Sequence, residues 1–105
     1  MPRRVWVTAD THFGDTDAIV RFGRPFPDVQ AMDEAMLESI NARVDRGDVL
    51  LHLGDVFGDR DWGDRAVRRA ARRFLGRIRC RRVRLVRGNQ DPRSGWFERC
   101  FRSVE

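Results

Sequence analysis

The stretch Val49-Leu50-Leu51-His52-Leu53-Gly54-Asp55 decides the fold that the sequence predicts. Its continuous apolar run is typical of a strand that is buried on both faces, as in a parallel sheet. The run ends at a glycine, which permits a sharp turn, and an aspartate follows at once. We therefore expect a central strand that carries a carboxylate at its carboxyl end.

Two more strands are predicted, one before and one after this central strand. Residues 5–9 are β-branched and aromatic and end at Asp10. Residues 83–86 form a second short apolar run, which leads to a glycine and then to Asn89. Each of the three strands is therefore expected to end in polar residues that a packed core does not require.

Two helices are predicted between the strands. Apolar residues recur at helical spacing over 32–44 and again over 67–78, while Asp33 and Glu34 face away from the first apolar stripe. The order β-α-β-α-β predicts an α/β fold, in which a parallel sheet with right-handed crossovers is flanked by helices.

The length and composition indicate a single folded domain over residues 1–105. Hydrophobic residues make up 41% and charged residues 35% of the chain, which excludes a disordered protein. No apolar run approaches the roughly 20 residues that a membrane-spanning helix needs. The apolar part of the N-terminus is also too short for a signal peptide. We therefore expect a cytoplasmic protein with no membrane partner.

The basic residues are concentrated in one segment. All 21 are arginines, and 12 of them lie within residues 60–87. Such a segment suits nucleic acid or another polyanion. However, its arginines alternate with an apolar stripe, as on a solvated amphipathic helix, and the aromatic interleaving of many single-strand binders is missing. Nucleic acid therefore remains an open but less favoured partner.

The polar residues that follow the strands form a candidate metal site. Asp10 and His12 follow the first strand, Asp55 the second and Asn89 the third. Because ligands bind at the carboxyl ends of parallel strands, we expect these side chains to line one rim. Two carboxylates, an imidazole and an amide oxygen suit Mn²⁺, Fe or Zn²⁺. His52 lies inside its strand, and we expect a buried, hydrogen-bonded histidine there rather than a ligand.

The segments that carry these residues resemble the calcineurin-like metallophosphoesterase superfamily. The motifs read Asp10-x-His12, Gly54-Asp55 and Gly88-Asn89-x-Asp91. Residues 8–14, 24–26, 32–35 and 52–55 are also similar to a bacterial and phage branch of small phosphoesterases. The resemblance covers essentially the whole chain, and it implies the N-terminal half of that superfamily's α/β/β/α sandwich.

The resemblance implies a metal-dependent phosphoesterase, and in particular a phosphodiesterase, with a binuclear site. Asp10 and His12 would hold the first ion, Asp55 would bridge the two ions, and Asn89 would hold the second. Asp55, Asn89 and Asp91 would be the catalytic residues. A bridging water would be the nucleophile, and phosphate esters would be the substrates.

The sequence departs from the superfamily pattern at several positions. Gln90 stands where the superfamily has a histidine that assists the leaving group, and Asp91 would orient that histidine. An amide has no proton to transfer near neutral pH. Asp15 stands where relatives often have a second histidine. His12 and His52 are the only histidines in the chain, so the later histidine ligands are missing from it.

Two interpretations therefore stay open. The chain is an active phosphoesterase, or it is a catalytically impaired remnant that binds metal or polyanions such as nucleic acid. In the superfamily a second sheet covers this one, so the resemblance also implies exposed apolar area, to which we expect Trp62, Trp96 and Phe97 to contribute. We expect a homodimer or a complementary chain to cover that area, or else marginal stability.

Overall fold

The computed structural model describes residues 3–58 and 60–105. Helices and strands alternate along the chain, and no helix among these residues is both long and apolar enough to cross a membrane. In order, the elements are β1 (Val5–Thr8), α1 (Thr16–Arg21), α2 (Val29–Arg43), β2 (Val49–His52), α3 (Arg65–Leu75), β3 (Arg82–Leu85), α4 (Gly95–Glu98) and β4 (Ser103–Val104).

The four strands form one parallel sheet in the order β1-β2-β3-β4. Thr8, His52 and Leu85 are neighbours in the register, so the first three strands end at the same edge. The predicted α/β fold, with its parallel sheet and flanking helices, is confirmed. The additional elements α1, α4 and β4 contain six residues or fewer, too few for sequence periodicity to reveal them.

The two long helices each begin at an aspartate that caps the first turn. Asp28 Oδ1 accepts a hydrogen bond from the backbone N–H of Ala31 at 2.7 Å. Asp64 Oδ1 accepts one from Ala66 at 2.8 Å. A cap of this kind stabilises a helix by about 1 kcal/mol because it satisfies an N–H that has no partner within the helix. These two caps fix where α2 and α3 begin.

The helices pack on one face of the sheet. Leu50, which is 2% exposed, lies in a cluster with Trp6 of β1 and Ile40 of α2. Leu85, which is 1% exposed, lies in a second cluster with Leu75 of α3 and Phe97 of α4. The core therefore lies between this face and the helices, directly beneath the edge where the strands end.

The opposite face of the sheet is partly open. Val5 and Val7 of β1 point to that face and are 66% and 61% exposed. Leu51, the neighbour of Val7 in β2, is only half-buried, and Leu53 is 47% exposed. Val49, the neighbour of Val5 on this face, is buried. The prediction that residues 49–53 are buried on both faces therefore holds at Val49 and is wrong at Leu51 and Leu53, because the helices lie on the other face.

The apolar residues that were expected to form an exposed patch belong to the core instead. Phe97 is completely buried. Trp62 and Trp96 are half-buried, and their rings pack at 5.6 Å from Phe57 and 5.5 Å from Phe97, respectively. The expected patch is therefore not formed: α4 places Phe97 on the helix-covered face, and the Trp62 and Trp96 rings each pack against that core on one side while lining a surface groove on the other. The exposed large apolar side chains lie elsewhere: on β1, just after β2 and β3, and at the end of α1, namely Val5, Val7, Leu53, Val86, Val20 and Phe22.

Candidate metal centre

Three predicted ligands come together at the carboxyl edge of the sheet. One ligand atom each from Asp10, His12 and Asp55 lies within 4.8 Å of the other two. Asp10 and His12 follow β1 and Asp55 follows β2, so neighbouring parallel strands bring them together. Two backbone hydrogen bonds join the loops, from Asp10 N to Gly54 O at 3.0 Å and from His12 N to Asp55 O at 3.1 Å.

All three residues have a left-handed backbone. The φ angles of Asp10, His12 and Asp55 are 53°, 50° and 55°, and no other non-glycine residue among those described has a positive φ. This conformation costs roughly 1–2 kcal/mol per residue because the β-carbon crowds the following carbonyl oxygen. Such strain is concentrated at functional sites, where the surrounding structure holds it in place. Here it turns three side chains toward one point above the sheet edge.

Asp15 orients the imidazole of His12. Its Oδ2 lies 3.1 Å from His12 Nδ1, and its Oδ1 accepts the N–H of Asp17 to cap α1. A carboxylate at Nδ1 favours the tautomer with the proton on that nitrogen, which leaves the lone pair of Nε2 available to a metal. The sequence marked Asp15 as a departure from the superfamily. Asp15 follows His12 by three residues, and this short separation was the one sign in the sequence that Asp15 could contact the imidazole.

Asn89 lies in the loop that contacts Asp55. The backbone N–H of Gln90 donates to Asp55 Oδ1 at 2.8 Å, and the backbone of Gly88 packs directly on the Asp55 carboxyl group. Asn89 stands between these two residues and is exposed. The loop after β3 therefore adjoins the candidate metal centre, as the strand order predicts.

Gly54 and Gly88 allow the two loops to approach each other. Gly54 has a φ of 106°, and a β-carbon on it would collide with the backbone of Gly88. A β-carbon on Gly88 would in turn collide with Asp55. A side chain at either position would push apart the loops that follow β2 and β3.

Asp91 contacts backbone amides behind the centre. Its carboxylate accepts hydrogen bonds from the N–H groups of Gly88 at 2.7 Å, Asp55 at 2.9 Å and Val56 at 2.9 Å. The side chain is only 6% exposed. The resemblance implies that Asp91 is one of the catalytic residues. In the structure its contacts are those of a residue that holds the Asp55 loop in its left-handed turn.

His52 lies in a buried chain of hydrogen bonds. The N–H of Gly54 donates to its Nδ1 at 3.0 Å, so the ring proton is on Nε2, which lies 3.0 Å from Thr11 Oγ1. The Thr11 hydroxyl donates in turn to Val56 O at 2.7 Å. Burial lowers the pKa of His52 to about 4, against the opposing effect of Asp91 and Asp55. His52 is thus a neutral structural histidine, as the sequence indicated.

Arg24 binds the backbone of the loop that follows β1. The sequence did not indicate this role. Its guanidinium donates to the backbone oxygens of Asp10 at 2.7 Å and Thr11 at 2.8 Å, and it lies 5.5 Å from the Phe22 ring. Two donors in a rigid fork match two successive carbonyl groups. The clamp supports the backbone in which both Asp10 and His12 are strained. Only the tertiary fold reveals it.

Asp33 holds the next turn of the same loop. Both of its carboxylate oxygens lie within 3.0 Å of the N–H of Gly14. Burial raises the pKa of Asp33, and the Gly14 hydrogen bond and the nearby Arg60 oppose that rise. Asp33, which the sequence placed away from the apolar stripe of α2, thus contacts this loop rather than solvent alone. The polar edge of α2 lies against this loop.

Comparisons with known proteins bear on the family and the fold of this chain. The family model of calcineurin-like phosphoesterases matches residues 3–104. The uncharacterized protein MJ1445 of Methanocaldococcus jannaschii is 27% identical over 103 residues, which are 98% of this chain and 53% of that protein. The crystal structure of AQ665 from Aquifex aeolicus, a protein of unknown function, superposes with a TM-score of 0.75 at 21% identity.

The superposition on AQ665 covers 98% of this chain and 51% of that one, and it shows the shared fold. The chain thus spans about half the length of the relatives that it matches. The family match, in contrast, extends over nearly every residue and includes all of the strand-end motifs. The chain belongs to the calcineurin-like phosphoesterase family.

Proposed function

We propose that this chain carries the metal centre of a phosphodiesterase, in which Asp10, His12, Asp55 and Asn89 are the metal ligands. The main support is the grouping of Asp10, His12 and Asp55, whose ligand atoms lie within 4.8 Å of one another. All three residues also have a strained, left-handed backbone. A turn that served only to connect elements would favour glycine at such positions. The presence of aspartate or histidine instead of glycine at all three positions supports a role for the side chains themselves.

The chemistry of these residues fits a divalent ion. Two carboxylates and a neutral imidazole nitrogen are typical ligands of Mn²⁺, Fe and Zn²⁺. Asp15 leaves the Nε2 lone pair of His12 free, and the paired charges of Asp10 and Asp55 would balance one dication. If a second ion binds, Asp55 would be a ligand shared by both ions, and Asn89 would be a ligand of the second. Its remaining ligands would come from outside this chain, since the structure engages His52 elsewhere.

A bound divalent ion would act as a Lewis acid on the phosphate and lower the pKa of a bound water. Residues of this chain would hold the metal ligands in position. Arg24 and Asp91 hold the β1 and β2 loops, and Asp15 fixes the His12 tautomer. Gln90 contributes a hydrogen-bonding amide but no transferable proton, so the leaving group must depart without a general acid. We therefore propose substrates with good leaving groups.

The second candidate function is a remnant that binds metal without hydrolysis. Two features favour it: the amide of Gln90 at the general-acid position, and the commitment of His52 to a buried structural network. The chain supplies one free imidazole, whereas the superfamily pattern that it resembles uses several. Metal affinity without turnover would distinguish this candidate from the first.

The test is the hydrolysis of bis(p-nitrophenyl) phosphate with and without Mn²⁺, beside Mn²⁺ titration calorimetry. Asp55→Asn is the control variant, because asparagine tolerates the left-handed backbone and keeps the side-chain size. Metal-dependent hydrolysis that the variant loses supports the phosphodiesterase. Binding without hydrolysis supports the remnant. An intact chain that neither binds Mn²⁺ nor hydrolyses the ester overturns both.

A further inference from the structure

A groove lined by arginines and tryptophans lies along α3 and the start of α4. Its larger part has a volume of about 670 Å³ and lies between the segment around α4, residues 92–99, and the residues Trp62 and Arg68. A second part of about 230 Å³ lies along α3, and the two parts share Arg68 and Trp96. We call this the Arg–Trp groove. Its arginines are Arg65, Arg68, Arg69, Arg72, Arg93 and Arg99.

The positive charge of the groove comes from separate elements. Four of its arginines lie on α3, while Arg93 and Arg99 flank α4. Within the described part of the chain, no carboxylate lies within ion-pair distance of any of the six. The solvated face of an amphipathic helix would account for the arginines of α3. It would not account for Arg93 and Arg99, which come from the segment around α4 and add positive charge to the same surface.

Two aromatic rings lie among these cations. Trp62 and Trp96 have ring centroids 5.4 Å apart at an angle of 41°. Each ring is half-buried against the core, Trp62 on Phe57 and Trp96 on Phe97, so both are held in place before any ligand arrives. The structure thus supplies the aromatic element that the sequence pattern of α3 lacks, because the tryptophans are 34 positions apart.

One loop joins the groove wall to the metal centre along the chain. Pro92, which is buried in the groove wall, directly follows Asp91, and Asp91 holds the Asp55 loop. The residue that lines the groove and the residue that positions Asp55 are therefore consecutive in the loop after β3.

We propose that the Arg–Trp groove binds single-stranded nucleic acid. The arginines contact backbone phosphates, and Trp96 with its neighbour Trp62 offers a ring face on which a base stacks. A duplex keeps its bases stacked on each other and cannot use the tryptophans in this way. The proposal goes beyond the phosphodiesterase and depends on the groove residues alone. Binding is therefore measured in EDTA, where loss of the metal centre has no effect.

The first experiment measures the binding of a fluorescein-labelled oligothymidylate of about 12 nucleotides, within the site sizes known for such surfaces. Arg72→Gln/Arg93→Gln removes one exposed cation from each wall. Arg43→Gln/Arg46→Gln removes the same charge from exposed positions outside the groove. We expect the groove variant to weaken binding at least tenfold and the control variant less than twofold. Equal losses would overturn the proposal.

The second experiment follows tryptophan fluorescence in a Trp6→Phe background, where Trp62 and Trp96 are the only tryptophans left. Base stacking on the groove should quench the signal when oligothymidylate binds, whereas inorganic polyphosphate has charge but no bases and should not. Binding without quenching, or tighter binding of a duplex of the same length, would overturn the proposal. Trp6 packs in the cluster around Leu50 and does not line the groove, so the Trp6→Phe background keeps every groove residue.

Discussion

The carboxylate of Asp91 joins Gly88 to Asp55 by accepting hydrogen bonds from both backbone amides, at 2.7 and 2.9 Å. A third hydrogen bond, from Val56, completes the set. The side chain therefore ties the loop after β3 to the loop after β2 from behind the candidate metal centre. Loss of this carboxylate should act on metal binding through the position of Asp55.

Asp91→Asn should weaken Mn²⁺ binding about tenfold, a loss typical of residues that orient metal ligands. One oxygen becomes an NH₂ group, which cannot accept from a backbone amide, so the buried amide loses its partner. This should also lower the free energy of unfolding by about 2 kcal/mol. Calorimetry and urea unfolding measure the two effects. Asp10→Asn is the control, since Asp10 is exposed and should lose metal affinity with little loss of stability.

Arg24→Ala should also weaken Mn²⁺ binding about tenfold, because the carbonyl groups of Asp10 and Thr11 lose their clamp. Arg24→Lys should recover only part of the loss, since an ammonium group does not span two carbonyls as a guanidinium fork does. Arg21→Ala is the matched control, because Arg21 also approaches the Phe22 ring, at 6.0 Å, but is exposed. Equal effects at Arg21 and Arg24 would contradict the clamp.

The stability of the chain should fall as the pH is lowered from about 6.5 to about 4. The pKa of His52 is lowered by burial to about 4 in the folded state, while an unfolded histidine titrates near 6.5. Between these values the unfolded state takes up a proton that the folded state does not, so acid favours unfolding. The difference corresponds to about 3 kcal/mol.

Urea unfolding at a series of pH values measures this loss. His52→Asn should flatten the dependence over the same interval, whatever its own stability at neutral pH. The imidazole proton signals of the two histidines provide a direct check, because one of them should titrate near pH 4 and vanish in the variant. A His52 signal that titrates near 6.5 would contradict the buried neutral ring.

Gln90→His should restore a transferable proton next to the centre. In a chain that hydrolyses esters, this change should raise the rate on alkyl phosphodiesters about tenfold or more and leave the nitrophenyl rate nearly unchanged, because only a poor leaving group needs an acid. The backbone hydrogen bond from position 90 to Asp55 does not depend on the side chain. An unchanged ratio of the two rates would contradict a missing general acid.

The open face of the sheet should be buried by a second copy of the chain. Val7→Thr keeps the shape and strand propensity of β1 but adds a hydroxyl group, and it should shift sedimentation from dimer toward monomer. Val20→Thr, at an exposed position in α1, is the matched control and should have no effect. A monomer with a high Tm would contradict the prediction and indicate that this face needs no cover.

The grouping of Asp10, His12 and Asp55 could be predicted because each follows a strand directly, and parallel strands end at the same edge. The residues that orient them could not. Arg24 reaches back 14 positions to Asp10, and Asp91 acts across 36 positions on Asp55. Hydrogen bonds of this range depend on how loops meet, and local periodicity contains no information about that.

The Arg–Trp groove shows the same limit. The arginines of α3 were visible in the sequence, but their pattern alone indicated a solvated face. Trp96 reaches that surface because α4 packs Phe97 into the core and thereby places its neighbour beside α3. An exposed apolar face of the sheet was expected. Which of the two faces it is depends on the side where the helices pack, and the sequence pattern does not show that side.

The left-handed backbones of Asp10, His12 and Asp55 also bear on how this chain tolerates mutation. Glycine would relieve the crowding at each position. At His12 and Asp55 it would also remove a hydrogen bond, to Asp15 and from the N–H of Gln90 respectively, so relief and loss oppose each other there. Asp10 is exposed, and Asp10→Gly is therefore the substitution at which the strain itself should show as a gain in stability.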